Sequence, residues 1–254
     1  MTLARSLAFN ALFYLWSAAA ALGLLLPLLL PRRVTVRGQT LWAQGVLRLM
    51  AWVAAIEVEF RGREQVPDRS VIFAAKHQSA WDTLIWHVIV RDPAIIMKQE
   101  LLWIPLYGWY CRKSRMIPIN RRGGAGALKS LLAKAEQAVR EGRPIVIFPE
   151  GTRSAVGARQ PYLPGVAALY LKLGVPVVPV AVNSGVFWPR RSFFRRPGTI
   201  VLAFQPVIEP GLDREGFMTV LAERIENATD VLAAESRAGD ELIVPTEKSL
   251  EKRA

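Results

Sequence analysis

The spacing of apolar positions changes several times along the chain. Residues 6–31 carry no charge, and residues 22–30 are almost unbroken aliphatic sequence. As a helix this run is roughly 39 Å long, enough to reach across a hydrocarbon core. Arg5 precedes it, and Arg32, Arg33 and Arg37 follow. A cleaved signal peptide is the competing reading, because residues 18–21 are all alanine, but the apolar run continues past them. Residues 39–56 form a second apolar stretch with Arg48 in its middle. A charge at mid-bilayer costs about 2.5–3.5 kcal/mol, so this stretch reads as an amphipathic helix in an interface plane or as a core helix. The two predict a helical hairpin with Pro31, Arg32 and Arg33 in its turn. Length alone leaves open whether the first helix crosses a bilayer or lies shallow.

From residue 56 onward short β-branched runs alternate with helical stripes. Residues 56–60, 71–75, 94–97, 116–119, 144–148, 175–182 and 199–204 read as strands. A helix is predicted over about 79–90, with Trp81, Leu84, Ile85, Val88 and Ile89 at helix spacing. Another follows Gly123 and Gly124, with Leu128, Leu131, Leu132, Ala135 and Val139 on one stripe and Gly142 at its end. Pro164 starts a helix closed by Gly174, and Asp213 caps a last one reaching about Ala234. Residues 101–111 are mixed, broken by Pro105 and Gly108. The alternation predicts an α/β fold, a central mixed β-sheet flanked by helices and preceded by the two-helix hairpin. Three regions follow: residues 1–57, an α/β domain over 58–235, and a charged mobile tail over 236–254.

Charge narrows the partners. The 254 residues carry a formal net charge of +12, which suits membrane surfaces, phosphorylated substrates or nucleic acid. No nucleic-acid motif is present, so the first two lead. One cysteine, Cys111, excludes an internal disulfide, and with two histidines a His/Cys metal cluster is improbable. The loop Arg190-Arg191-Ser192-Phe193-Phe194-Arg195-Arg196 reads as a contact for anionic headgroups or as a solvated loop. His87, in mid-helix, reads as structural.

The candidate chemistry begins at His77. It stands where the 71–75 strand ends and Ser79-Ala80-Trp81-Asp82 opens a helix, a position that brings side chains to the mouth of an α/β sheet. His77 and Asp82, five apart, do not share a face of a regular helix. They meet if His77 lies in the turn and Asp82 in the first helical turn. The carboxylate then accepts the proton of one ring nitrogen and leaves the other free to take a proton from a hydroxyl attacking an acyl carbon. The same spacing has a plainer reading: Ser79 and Asp82 as a capping box, with Asp in the place of Glu, and His77 as a loop residue.

A second stretch, Phe148-Pro149-Glu150-Gly151-Thr152-Arg153, changes the weighing. With it, the chain resembles the glycerolipid acyltransferase family, and within it the 1-acylglycerol-3-phosphate acyltransferases. The stretch from His77 to Asp82 resembles that family's His-x4-Asp box, and Phe148 to Arg153 its FPEGTR box. Ile119-Asn120-Arg121 and Val178-Pro179-Val180-Ala181 resemble two weaker boxes in the same order. The resemblance covers roughly residues 56–210.

The resemblance implies acyl transfer from a thioester, on coenzyme A or acyl carrier protein, to the sn-2 hydroxyl of lysophosphatidate. His77 would be the general base and Asp82 its orienting partner. Lys98, Arg121 and Arg153 would receive the phosphate, for which the Arg fork is the best geometric match. Glu150 would meet an acceptor hydroxyl or orient an Arg, Gly151 would allow close backbone approach, and Thr152 would add a donor. Spacing alone leaves Lys98 and Arg121 equally readable as solvated strand-end charges, and residues 150–152 as a turn. No metal and no cofactor beyond the thioester co-substrate is implied. The family includes members with a two-helix membrane-docking hairpin, which favours docking of residues 1–57 on lipids, with the α/β domain on the cytoplasmic face of the inner membrane. Two rivals stand: O-acylation of another lysolipid such as a lyso-ornithine lipid, and a non-catalytic module that holds anionic lipid. The sequence departs from the family at Lys76, where Asn is more usual, and at residues 115–121, which lack the usual Gly, Phe and Asp.

Overall fold

The computed structural model describes residues 2–243. Seven strands form one sheet: β1 (Ile56–Arg61), β2 (Ile72–Ala75), β3 (Ala94–Lys98), β4 (Ile117–Ile119), β5 (Ile145–Ile147), β6 (Val177–Val182) and β7 (Gly198–Phe204). Their order is β1-β7-β6-β2-β5-β3-β4. β6, β2, β5, β3 and β4 run parallel. β7 is antiparallel to β6, and β1 pairs parallel to β7, so the sheet is mixed as expected. Central β2 and β5 are buried along their whole length, which is why they read as continuous apolar runs. Pro118 sits in β4 at the sheet's edge, where its missing N–H costs no ladder bond.

Nine helices surround the sheet: α1 (Thr2–Gly23), α2 (Arg32–Leu49), α3 (Trp81–Leu84), α4 (Trp86–Ile89), α5 (Tyr107–Lys113), α6 (Gly124–Arg140), α7 (Gly165–Leu173), α8 (Ser184–Phe187) and α9 (Arg214–Ile243), counted among the described residues. They make a core on each face. Phe73 and Ala75 of β2 point to one, with Val46, Met50, Trp81 and Trp86. Ile72 and Ala74 point to the other, with Leu131 of α6, Leu169 of α7 and Phe217 of α9. The two-residue period of a strand produces this division.

The helix predicted over 79–90 is borne out: Ile85, between α3 and α4, keeps helical dihedrals of φ −58° and ψ −32°, and its amide donates to the Trp81 carbonyl at 3.1 Å. Trp81 and Trp86 are both fully buried. One element differs from expectation. At the other end, α9 runs eight residues into the segment expected to be mobile. Asn183 donates to Ser236 Oγ at 2.9 Å, and Glu235 pairs with Arg61 at 2.7 Å. A helix already nucleated propagates easily through such anchors. Residues 244–254 of that expected tail lie outside the described residues.

The N-terminal hairpin is fastened to the α/β domain. α2 begins at Arg32 with Pro31 before it, so the turn precedes the arginines. Arg32 forms a bidentate pair with Asp92 at 2.5 and 2.7 Å. Along α1, Ser6 Oγ accepts from the Arg195 amide at 2.9 Å, and Asn10 accepts from the Arg195 guanidinium at 3.0 Å. Trp16 donates to the Trp42 carbonyl, and Tyr110 of α5 to the Ala21 carbonyl. Burial lowers the pKa of Arg195 to about 10. Its guanidinium lies over the Trp188 ring at 4.6 Å, so this member of the basic loop is a structural anchor. The outer face of α1 leaves Leu7, Tyr14, Leu15 and Leu22 exposed. Residues Leu3–Leu29 are long and apolar enough to cross a membrane by length and composition.

Candidate active site

The parallel strands bring every candidate to one edge. His77 follows β2, Lys98 ends β3, Arg121 follows β4, and residues 150–153 follow β5. The C-terminal edge of a parallel sheet is where its loops can converge on a ligand. A cavity of about 1300 Å³ opens there, lined by His77, Lys98, Arg121, Gly151, Thr152 and Arg153. Its apolar wall includes Phe13 and Ala21 of α1, Trp42 of α2, and Ile95, Met97 and Met116 from the sheet side. The hairpin is therefore part of the cavity.

His77 Nδ1 is 3.0 Å from Asp82 Oδ2. The same oxygen accepts the Gln78 and Ser79 amides at 2.6 and 2.7 Å. Ser79 Oγ accepts the Trp81 amide at 3.2 Å. Asp82 thus closes a capping box and holds the histidine, and both readings of the spacing describe one carboxylate. Asp82 is buried and only accepts when ionised, so the proton of the imidazole sits on Nδ1. Nε2 is left as the basic nitrogen of a side chain that lines the cavity.

The FPEGTR loop wraps the same residue. The Phe148 and His77 rings stack with centroids 4.2 Å apart. The Ser154 amide donates to the His77 carbonyl at 2.8 Å, and the His77 amide to Glu150 Oε2 at 3.3 Å.

Glu150 is buried and not among the cavity-lining residues, so the structure does not bring it to the acceptor-hydroxyl or Arg contact expected of it. It accepts from Lys76 Nζ at 2.8 Å and from Ser154 Oγ at 3.3 Å. Lys76 Nζ also reaches both oxygens of Glu226 on α9, at 2.9 and 2.8 Å, and Tyr162 donates to Glu226 at 2.8 Å. Burial raises the pKa of Glu150, with Lys76 opposing the shift. The departure at Lys76 is therefore the centre of a buried ion cluster behind the His77 loop.

Gly151 has φ +66, in the left-handed region that favours glycine. A Cβ there would lie 2.5 Å from Leu163 Cδ1 and 3.3 Å from the Arg121 guanidinium. The left-handed backbone and the packing of Leu163 are what need glycine here, and Arg121 lies close by against the FPEGTR loop. Arg190 donates to the Arg153 carbonyl, so the basic loop touches the same mouth.

Sequence reasoning missed Ser184, whose hydroxyl donates to Asp82 Oδ1 at 2.5 Å, and Glu226. Neither carries a local signal, since each reaches the site from a distant segment. The pairing of Phe148 with His77 was equally invisible, although Phe148 belongs to the quoted box.

A family model described as Acyltransferase matches residues 57–183. A Pseudomonas aeruginosa protein named 1-acyl-sn-glycerol-3-phosphate acyltransferase is 35% identical over 211 residues, covering 81% of this chain and 80% of its own. A human protein named 1-acyl-sn-glycerol-3-phosphate acyltransferase alpha is 28% identical over 201 residues, covering 76% of this chain and 71% of its own. The crystal structure of the 1-acyl-sn-glycerophosphate acyltransferase PlsC from Thermotoga maritima superposes with a TM-score of 0.76 at 24% identity, covering 92% of this chain and 98% of that one.

Proposed function

The chain belongs to the acyltransferase family, and from that premise we propose that it transfers a fatty acyl group from a thioester to the sn-2 hydroxyl of 1-acyl-glycerol-3-phosphate, forming phosphatidate. The observation that carries this reading is the His77–Asp82 pair facing the same cavity as Arg121 and Arg153.

His77 Nε2 takes the hydroxyl proton as the oxygen attacks the thioester carbonyl. The tetrahedral intermediate collapses with cleavage of the C–S bond, and the imidazolium returns the proton to the departing sulfur. Asp82 stabilises the imidazolium through Nδ1. Arg121 and Arg153 receive the phosphate, with Lys98 as a further cation lining the cavity. The acyl chains lie in the apolar part of the cavity. The thioester is borne by coenzyme A or acyl carrier protein, and no cofactor takes part, because the acyl group arrives activated.

The enzyme acts at a membrane. α1 is held by the α/β domain near residues 6–10 and again at Ala21. That attachment at both ends, with an exposed apolar outer face, supports a helix lying in one leaflet. The α/β domain is proposed to face the cytoplasm. The net charge of +12 suits an anionic surface there.

Purified protein assayed with lysophosphatidate and a panel of acyl-CoA and acyl carrier protein thioesters tests the reading. Turnover should occur, and His77→Ala should reduce it by about 100-fold or more while vesicle binding persists. Turnover of a phosphate-free lysolipid but not of lysophosphatidate would overturn the acceptor. Unchanged lipid binding with no turnover of any acceptor by the wild type would leave only a lipid-binding module.

A further inference from the structure

Asp82 is buried, and its two carboxylate oxygens are loaded unequally. Oδ2 receives the His77 ring and the two amides of the preceding turn. Oδ1 receives one side-chain donor among the described residues, the Ser184 hydroxyl at 2.5 Å. Ser184 is fully buried and lies 102 residues away, at the start of α8 just past β6, the strand next to β2 in the sheet. Its backbone is held firmly. Asn183 accepts the Val201 amide at 2.7 Å, the Trp188 amide donates to the Ser184 carbonyl at 2.8 Å, and the Gly185 amide donates to Gln78 Oε1 at 3.0 Å.

We propose that Ser184 is a positioning residue for the reaction, which fixes the rotation of the Asp82 carboxylate and, through it, the plane of the His77 imidazole. A carboxylate bonded only through Oδ2 can turn about its own axis and still keep some of its donors. A donor on Oδ1 from the firmly held start of α8 removes that freedom. Without it a buried, charged oxygen is left unsatisfied, and hydrogen bonds to charged groups are the stronger class. Ser184 does not line the cavity, so it acts on the substrate only through Asp82 and His77.

The inference rests on His77 acting as the base, and the experiment separates the two. Ser184→Ala is expected to lower kcat about 10- to 100-fold while leaving KM for acceptor and thioester within about three-fold. The chain has only two histidines, so the imidazole N–H signals of 15N-histidine-labelled protein are readily assigned against His77→Ala. The His77 signal should shift or broaden in Ser184→Ala, and the His87 signal should stay. Should Ser184→Ala fail to fold, Ser184→Thr and Ser184→Cys carry the comparison. The hydroxyl should keep most of the turnover and the His77 signal, and the thiol, a weaker donor, should lose both. Equal turnover of Thr and Cys variants, or a Ser184→Ala enzyme with unchanged kcat and an unmoved His77 signal, overturns the inference. A wild type inactive on lysophosphatidate, with the spectral change still present, refutes the acceptor alone.

Discussion

Phe148 lies over His77 with the two rings 25° from parallel and 4.2 Å apart between centroids. The first residue of one motif thus covers the first residue of the other. The stack shields one face of the imidazole from water and, with the Asp82 bond, leaves the ring little freedom. Stacked aromatic pairs are worth about 0.5–1.5 kcal/mol beyond the area they bury. Phe148→Leu keeps an apolar cover without the stack and should lower kcat about three- to ten-fold with little change in melting temperature. Phe148→Ala removes a buried ring and should in addition cost about 3 kcal/mol of stability. Steady-state rates and thermal melts of the two variants check this.

Gly151→Ala should act on the acceptor. The substitution strains a left-handed backbone and presses on Leu163 and the Arg121 guanidinium. The expected result is a KM for lysophosphatidate raised about ten-fold or more, with KM for the thioester changed much less. Initial rates with each substrate varied in turn measure both.

The cluster of Lys76, Glu150 and Glu226 should govern stability. Removing one partner of a buried ion cluster leaves charge uncompensated and costs about 3–5 kcal/mol. Lys76→Met is expected to destabilise the fold by that order, because two buried carboxylates lose their common cation. Lys76→Met combined with Glu226→Gln should recover part of the loss, and urea unfolding of both variants measures it.

His87 lines the cavity, and desolvation lowers its pKa from 6.5 to about 4. Between those values the unfolded chain binds a proton that the folded protein refuses. Stability therefore falls as pH drops from 6.5 towards 4, by on the order of 1–3 kcal/mol, and this contribution levels off below. His87→Met should flatten that part of the stability profile. Chemical denaturation across the range, in wild type and variant, is the measurement.

The local features were legible because their causes are local. A strand such as Ile145–Ile147 announces itself by an apolar run with punctuation at both ends, and α6 by its 3.6-residue stripe and closing Gly142. The meeting of His77 with Asp82 needed only one turn and one helix start. The inward turn of Glu150 was hidden. A carboxylate beside a cation-rich loop reads as a ligand contact until the lysine just after β2 that binds it is seen.

By itself the sequence determined the order of elements, the two motifs and the apolar hairpin, since spacing, turn residues and hydrophobic period act over a few residues. Only the tertiary structure decided that Ser184 meets Asp82 across 102 residues, that Glu226 meets Lys76 across 150, and that α1 walls the cavity. Those contacts depend on strand order and on which helix packs over which face, and a chain read residue by residue carries no distance between its distant parts.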